Sequence, residues 1–158
     1  MSDAKLSIWI DLEETLINNW DDKYFLQSTR AIRKWLSEVQ GLTEINIWSF
    51  AIWDNTDIQH FEKSGLKKDI EEVLRFPIAQ YPSVDEIQKM VYSYDKYKYN
   101  SRNEFMQLNG KMWPFMKFAL QYKNTRFVLI DDAVPNMTVN EEDNNASIQF
   151  INVTSLKL

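Results

Sequence analysis

Three short apolar runs in this chain each stop abruptly at side chains that carry chemistry. Leu6 to Ile10 ends on Asp11, Ile45 to Ala51 encloses Ser49, and Arg126 to Ile130 ends on the pair Asp131-Asp132. Runs of this length read as strands buried on both faces, and the sudden polarity marks the point where a strand opens to solvent. A chain with several such strands, separated by stretches of helical periodicity, is constrained to an α/β architecture. Parallel strands joined by right-handed helical crossovers form a sheet covered on both sides. Ligands in such sheets bind beyond the carboxyl ends of the strands, where these polar residues fall.

The intervals between the runs carry the helical signals. Ser28 is placed to cap a helix with Ala31, Ile32, Trp35, Leu36 and Val39 on one face, and Gly41 is placed to end it. Asp54 or Asn55 caps a helix that directs Ile58 and Phe61 inward and stops near Gly65. Ser83 and Glu86 form a capping box ahead of Ile87, Met90, Val91 and Tyr94, so a helix is expected from about residue 84. Phe105 to Leu108 reads as a short strand. Pro114 suits the first turn of a helix carrying Phe115, Phe118 and Ala119, and Ile148 to Val153 reads as the last strand. At 158 residues the chain has the length of one ordinary domain, expected to cover 1–158, with a small cap or insert over 66–103.

Composition narrows the chemistry available at the strand ends. The chain has no cysteine and one histidine, His60, which excludes disulfides, thiolate metal sites, a cysteine nucleophile and a histidine-rich metal centre. What remains is oxygen. Asp11, Asp131 and Asp132 at adjacent strand ends would raise one another's pKa unless a cation lay between them, and oxygen ligands select a hard ion, Mg²⁺ above all where phosphate is bound. The 18 basic and 23 acidic residues give a net charge of −5, so no global positive field draws the chain to nucleic acid or an anionic membrane. No apolar stretch approaches the length of a membrane span, and a soluble, cytoplasmic protein is expected. The alternation of tyrosines and lysines over Tyr92–Tyr99, with Arg102 beyond, reads either as a base-stacking wall or as a helix end packed on the core. His60 reads as a surface residue.

IWIDLEETLI resembles motif I of the haloacid dehalogenase (HAD) superfamily, a strand followed by Asp-x-Asp-x-Thr. INIWS is similar to motif II, a strand ending in Ser or Thr. GKMWPFMKFAL resembles the motif III lysine before a helix, and FVLIDDAVPN the paired acids of motif IV. The four occur in the family's order. The resemblance implies a Rossmann-like, HAD-type domain with a small helical insertion between motifs II and III. It further implies a Mg²⁺-dependent phosphatase that hydrolyses a phosphomonoester through an aspartyl-phosphate on Asp11. Glu13 then stands where the family's general acid and base stands, its backbone carbonyl also serving the metal. Ser49 and Lys111 bind the transferring phosphoryl group, with Thr15 beside them, and Asp131 and Asp132 complete the metal site. The expected partner is a phosphorylated substrate: a nucleotide, a nucleic-acid end, a phosphoprotein or a small metabolite. Glu13 in place of aspartate opens a second reading, a HAD-fold protein without turnover that acts as a binding, inhibitory or accessory factor.

Overall fold

Alternation along β1 (Lys5–Ile10) sets the layers of the protein. Ile8 and Ile10 enter one apolar core while Trp9 enters another on the opposite face, as the two-residue period of a strand requires. β4 (Thr125–Asp131) repeats the division, with Val128 and Ile130 on the first face and Phe127 and Leu129 on the second. Burial on both faces explains why these strands are continuous apolar runs. The computed structural model describes residues 4–91 and 110–157.

β1 and β4 lie side by side at the centre of a six-stranded sheet. To one side of β1 are β2 (Ile45–Ile47) and then β3 (Ile78–Gln80); beyond β4 are β6 (Ala146–Asn152) and the edge strand β5 (Met137–Glu141). All pairings are parallel except that of β5 with β6. The chain moves outward from β1 through β2 to β3, then returns to the other side of β1 as β4. That reversal makes the gap beyond the carboxyl ends of β1 and β4 the switch point of the sheet.

Helices α1 (Ser28–Ser37), α2 (Asn55–Lys63) and α3 (Leu66–Leu74) contribute Ile32, Leu36, Phe61, Ile70 and Leu74 to the first core. Helices α4 (Val84–Val91) and α5 (Met112–Ala119) contribute Val84, Ile87, Phe115, Phe118 and Ala119 to the second. Asp54 caps α2 by accepting from Asp57 N at 3.2 Å. The Ser83–Glu86 capping box forms in both directions, at 3.2 and 3.1 Å. Among the described residues no helix is long and apolar enough to cross a membrane.

Several expectations are corrected. Ser28 does not cap α1; it is the first helical residue, and its hydroxyl donates to Thr15 O at 2.8 Å while Thr29 donates to Leu16 O at 2.9 Å. The helix start is thus tied to the loop after β1. The helix also ends at Ser37, before Val39 and Gly41. The apolar run from Ile45 leaves the ladder after Ile47: residues 48–52 stay buried beneath the start of α4, where Ile52 O accepts from Val84 N. Burial, and not strand pairing, made that run apolar. Residues 66–91, read as part of an insert, form α3, β3 and α4, and β3 hydrogen-bonds into the sheet. The strand expected at Phe105–Leu108, the Tyr92–Tyr99 segment with Arg102, and the remainder of the insert to 103 lie outside the described residues.

The second core is built around Trp9, whose ring meets Trp48, Phe115 and Phe118 at centroid separations of 5.6, 6.0 and 5.1 Å. Truncating it removes the central body of that layer, so Trp9→Ala is expected to cost about 3–5 kcal/mol. Urea denaturation measures this directly, and a loss below about 1 kcal/mol would show that the layer packs independently of Trp9.

Candidate active site

The parallel register of β1 and β4, from Lys5 opposite Thr125 to Ile10 opposite Ile130, continues one residue further. Asp11 N donates to Ile130 O at 3.0 Å, which brings Asp11 level with Asp131 across the switch point. Both carboxylates are essentially inaccessible, and Asp132 is the more open neighbour. One carboxylate oxygen from each of Asp11, Asp131 and Asp132 lies within 4.8 Å of those of the other two.

Thr15 ties this cluster together. After Asp11 the chain coils back on itself: Thr15, Leu16 and Ile17 all donate their N–H groups to Leu12 O. The coil returns Thr15 beneath the carboxylates, fully buried. Its hydroxyl is shared between Asp11 Oδ2 at 3.2 Å and Asp132 Oδ1 at 3.4 Å, and it accepts from Asp132 N at 3.1 Å. Such a coil requires a left-handed residue, and Glu14 adopts φ 62° to provide it.

Lys111 supplies the only basic group paired with these acids among the described residues. It stands immediately before α5 and after Gly110, whose φ of 68° a side chain would oppose. Its Nζ lies 3.7 Å from Asp11 Oδ1 and 3.9 Å from Asp131 Oδ2, and 5.1 Å from the centre of the buried Phe50 ring. Lys117, the other lysine of that helix, instead lies over the exposed Trp113 ring. Phe50 was not foreseen as a seat for the lysine; a phenylalanine inside an apolar run carries no signal of that role.

Ser49 lies just beyond β2, held beside β1 because Trp48 N donates to Ile10 O at 3.1 Å. Its buried hydroxyl accepts from Ala51 N at 3.1 Å, and among the described residues no acceptor takes its hydrogen. Glu13 is placed differently from the three aspartates. Its Oε2 accepts from Trp20 N at 2.8 Å, so the side chain fastens the loop that follows β1. Trp20 in turn stacks on Phe61 and meets the exposed His60 edge-on. Glu13 remains near enough to add to the negative field on Lys111.

The electrostatics follow from burying two acids with one base beside a third, more open acid. Burial pushes the Asp11 carboxyl well above its usual range, and the charge of Asp131 adds to this while Lys111 opposes it. Burial likewise raises Asp131, to about 6, against the pull of Lys111 and the hydrogen bond from Ala133 N. For Lys111, burial favours the neutral amine, but Asp11, Asp131, Asp132 and Glu13 together prevail and raise its pKa. Asp131 Oδ2 is buried and, among the described residues, accepts no hydrogen bond. A buried carboxylate oxygen with no hydrogen bond and only the Lys111 ammonium at 3.9 Å, beside two other carboxylates, fits a hard divalent cation, which would satisfy all three.

A pH dependence follows for the metal-free protein. An unfolded aspartate titrates near 3.9, whereas folded Asp131 titrates at about 6, so the folded state binds this proton more tightly. Its contribution to stability is present in full below about pH 4 and is lost as pH rises through 6. Asp131→Asn should therefore gain stability over the parent between pH 4.5 and 7, in EDTA, on the order of 2 kcal/mol. Equal urea midpoint differences at the two pH values would refute the assignment.

Searches of protein-family models, curated proteins and solved structures found no match to this chain.

Proposed function

We propose that this chain is a HAD-type phosphatase that hydrolyses a phosphomonoester through an aspartyl-phosphate on Asp11, with Mg²⁺ as its cofactor. The observation that carries the reading is the Lys111 ammonium set between Asp11 and Asp131, with Asp132 and Thr15 closing the group, at the sheet's switch point. Phosphoryl transfer asks little covalent chemistry of a protein beyond a positioned nucleophile and positive groups facing the transferring oxygens. Asp11 is that nucleophile: an oxygen of its carboxylate bonds to phosphorus as the bond to the leaving oxygen breaks. Lys111 offsets charge on the nucleophile and on the phosphoryl oxygens, and the Ser49 hydrogen, which no acceptor takes among the described residues, is available to one of those oxygens. Thr15 holds the attacking carboxylate in one orientation.

Glu13, turning from Trp20 N toward the substrate, gives its proton to the leaving oxygen. It then takes a proton from the water that attacks phosphorus, which frees Asp11 and releases phosphate. Mg²⁺, when held by Asp11, Asp131, Asp132 and the Glu13 carbonyl, supplies positive charge that offsets the carboxylates and the phosphoryl oxygens.

One observation favours the second reading, a protein that binds without turnover. The Glu13 carboxylate is engaged by the loop backbone and stands apart from the three-aspartate cluster. The experiment that separates the two is phosphate release with Mg²⁺, Mn²⁺ or Co²⁺ across an aryl phosphate, sugar phosphates, nucleotides, phosphopeptides and oligonucleotide ends. Turnover of any one supports the phosphatase; no turnover of any favours the binding protein.

A further inference from the structure

Away from the carboxylates, a cleft of about 640 Å³ opens between α1 and the end of α3. Arg30, Arg33 and Lys34 of α1 and Arg75 line it, and Leu74 and Phe76 supply apolar surface; among the described residues no acidic side chain contributes. In a chain of net charge −5 this is a local concentration of four cations. All four are exposed, and among the described residues none pairs with a carboxylate. On α3, Glu71 is already taken by Lys67 at 3.3 Å and by Ile78 N at 2.8 Å.

Arg75 adds an independent observation. It follows α3 at φ 68°, the left-handed position where helices usually place glycine. A non-glycine residue there costs on the order of 1 kcal/mol of strain, and such outliers gather at binding sites. The arginine gives up backbone ease and adds a guanidinium to the cleft.

The cleft shares no lining residue with the proposed active site. α1 starts at the loop after β1 and runs toward the opposite edge of the sheet, and Arg75 and Phe76 come just before the start of β3. The basic groups are compact: Arg30 to Lys34 spans about 6 Å along the helix axis. At roughly 3.4 Å per phosphate, a nucleic-acid strand would lay only about two phosphates on that stripe, too few for a polynucleotide track. Size, apolar floor and charge together suit a small ligand.

We propose that this cleft binds a small polyphosphorylated anion with an apolar or aromatic portion, of the nucleoside di- or triphosphate class. The guanidinium groups grip the phosphates, and Leu74 and Phe76 receive the apolar portion.

Calorimetric titration with ATP in EDTA at low salt tests the assignment, with adenosine, pyrophosphate and a twelve-nucleotide single strand as comparison probes. Expected is one saturable ATP site, tighter than pyrophosphate and far tighter than adenosine, and weakened about tenfold or more in Arg33→Glu. Arg75→Gly should weaken ATP binding while raising the thermal midpoint of the free protein, a combination that a purely structural arginine would not give. Asp11→Asn should bind ATP in the cleft as the parent does, so this result stands apart from the phosphatase reading. Absence of saturable binding, or binding indifferent to Arg33→Glu, would overturn the proposal. Pyrophosphate binding as tightly as ATP would remove the apolar portion from it. An oligonucleotide that binds tenfold tighter than ATP and is lost in Arg33→Glu would replace it with a nucleic-acid surface.

Discussion

Asp11→Asn should abolish phosphate release and at the same time stabilise the protein. The activity loss follows from the nucleophile's role proposed for Asp11. An amide oxygen does not form the acyl-phosphate, and removing a covalent nucleophile costs on the order of 10⁴-fold or more, about 5.5 kcal/mol of barrier. The stability gain follows from burial. Asp11 is about 1% exposed, its carboxyl is raised by desolvation and by Asp131, and one lysine serves both acids. An asparagine keeps an oxygen for the Thr15 hydroxyl and carries no charge to desolvate, so the metal-free variant should gain on the order of 1–2 kcal/mol. For a domain of this size that is a rise of roughly 2–6 °C in melting temperature. Coupled release measurements and thermal melts in EDTA read both effects. Activity that persists in the variant would show that Asp11 is not the nucleophile. Activity lost together with stability would show that the substitution had only damaged the fold.

The parts of the site visible in the sequence are those where burial and polarity collide. Asp11 and Asp131-Asp132 stand out because the strands before them are apolar on both faces, and their adjacency needs only that β1 and β4 pair in register. Lys111 is legible from its place before the Pro114 helix. The aromatic seat of Phe50 is not, because it depends on a chain path after β2 that the apolar run itself disguises as strand. β5 was equally hidden. Its residues are mostly exposed and polar, only Val139 packs against the core, and its pairing with β6 rests on a turn in which Asn145 takes φ 50°. α3 had a usable signal, Leu66, Ile70 and Leu74 at four-residue spacing, all buried. The contrast is physical: buried central elements write themselves into composition, whereas edges and loop contacts depend on partners remote in sequence.

Glu13 decides between turnover and binding, and two substitutions separate its functions. Glutamine keeps the side chain's length and an oxygen for Trp20 N, so the loop fastening should survive while the titratable proton is lost. If Glu13 activates the hydrolytic water, then with an aryl phosphate, whose leaving oxygen needs little protonation, Glu13→Gln should accumulate the aspartyl-phosphate and slow steady-state release on the order of 10²–10³-fold, within the usual contribution of a general acid or base. Rapid-quench trapping of phosphoenzyme detects this species, up to one equivalent per chain. Aspartate retains the proton but shortens the arm by one methylene, roughly 1.5 Å, a displacement that changes rates by about a hundredfold where geometry is critical. The shorter arm loses its reach to Trp20 N and is freed toward the cluster, so Glu13→Asp should match or exceed the parent rate. Opposite responses to glutamine and aspartate would place the proton of residue 13 in the reaction. If both variants release phosphate as the parent does, the carboxylate of Glu13 serves only to fasten the Trp20 loop, and the acid and base must be sought elsewhere around Asp11.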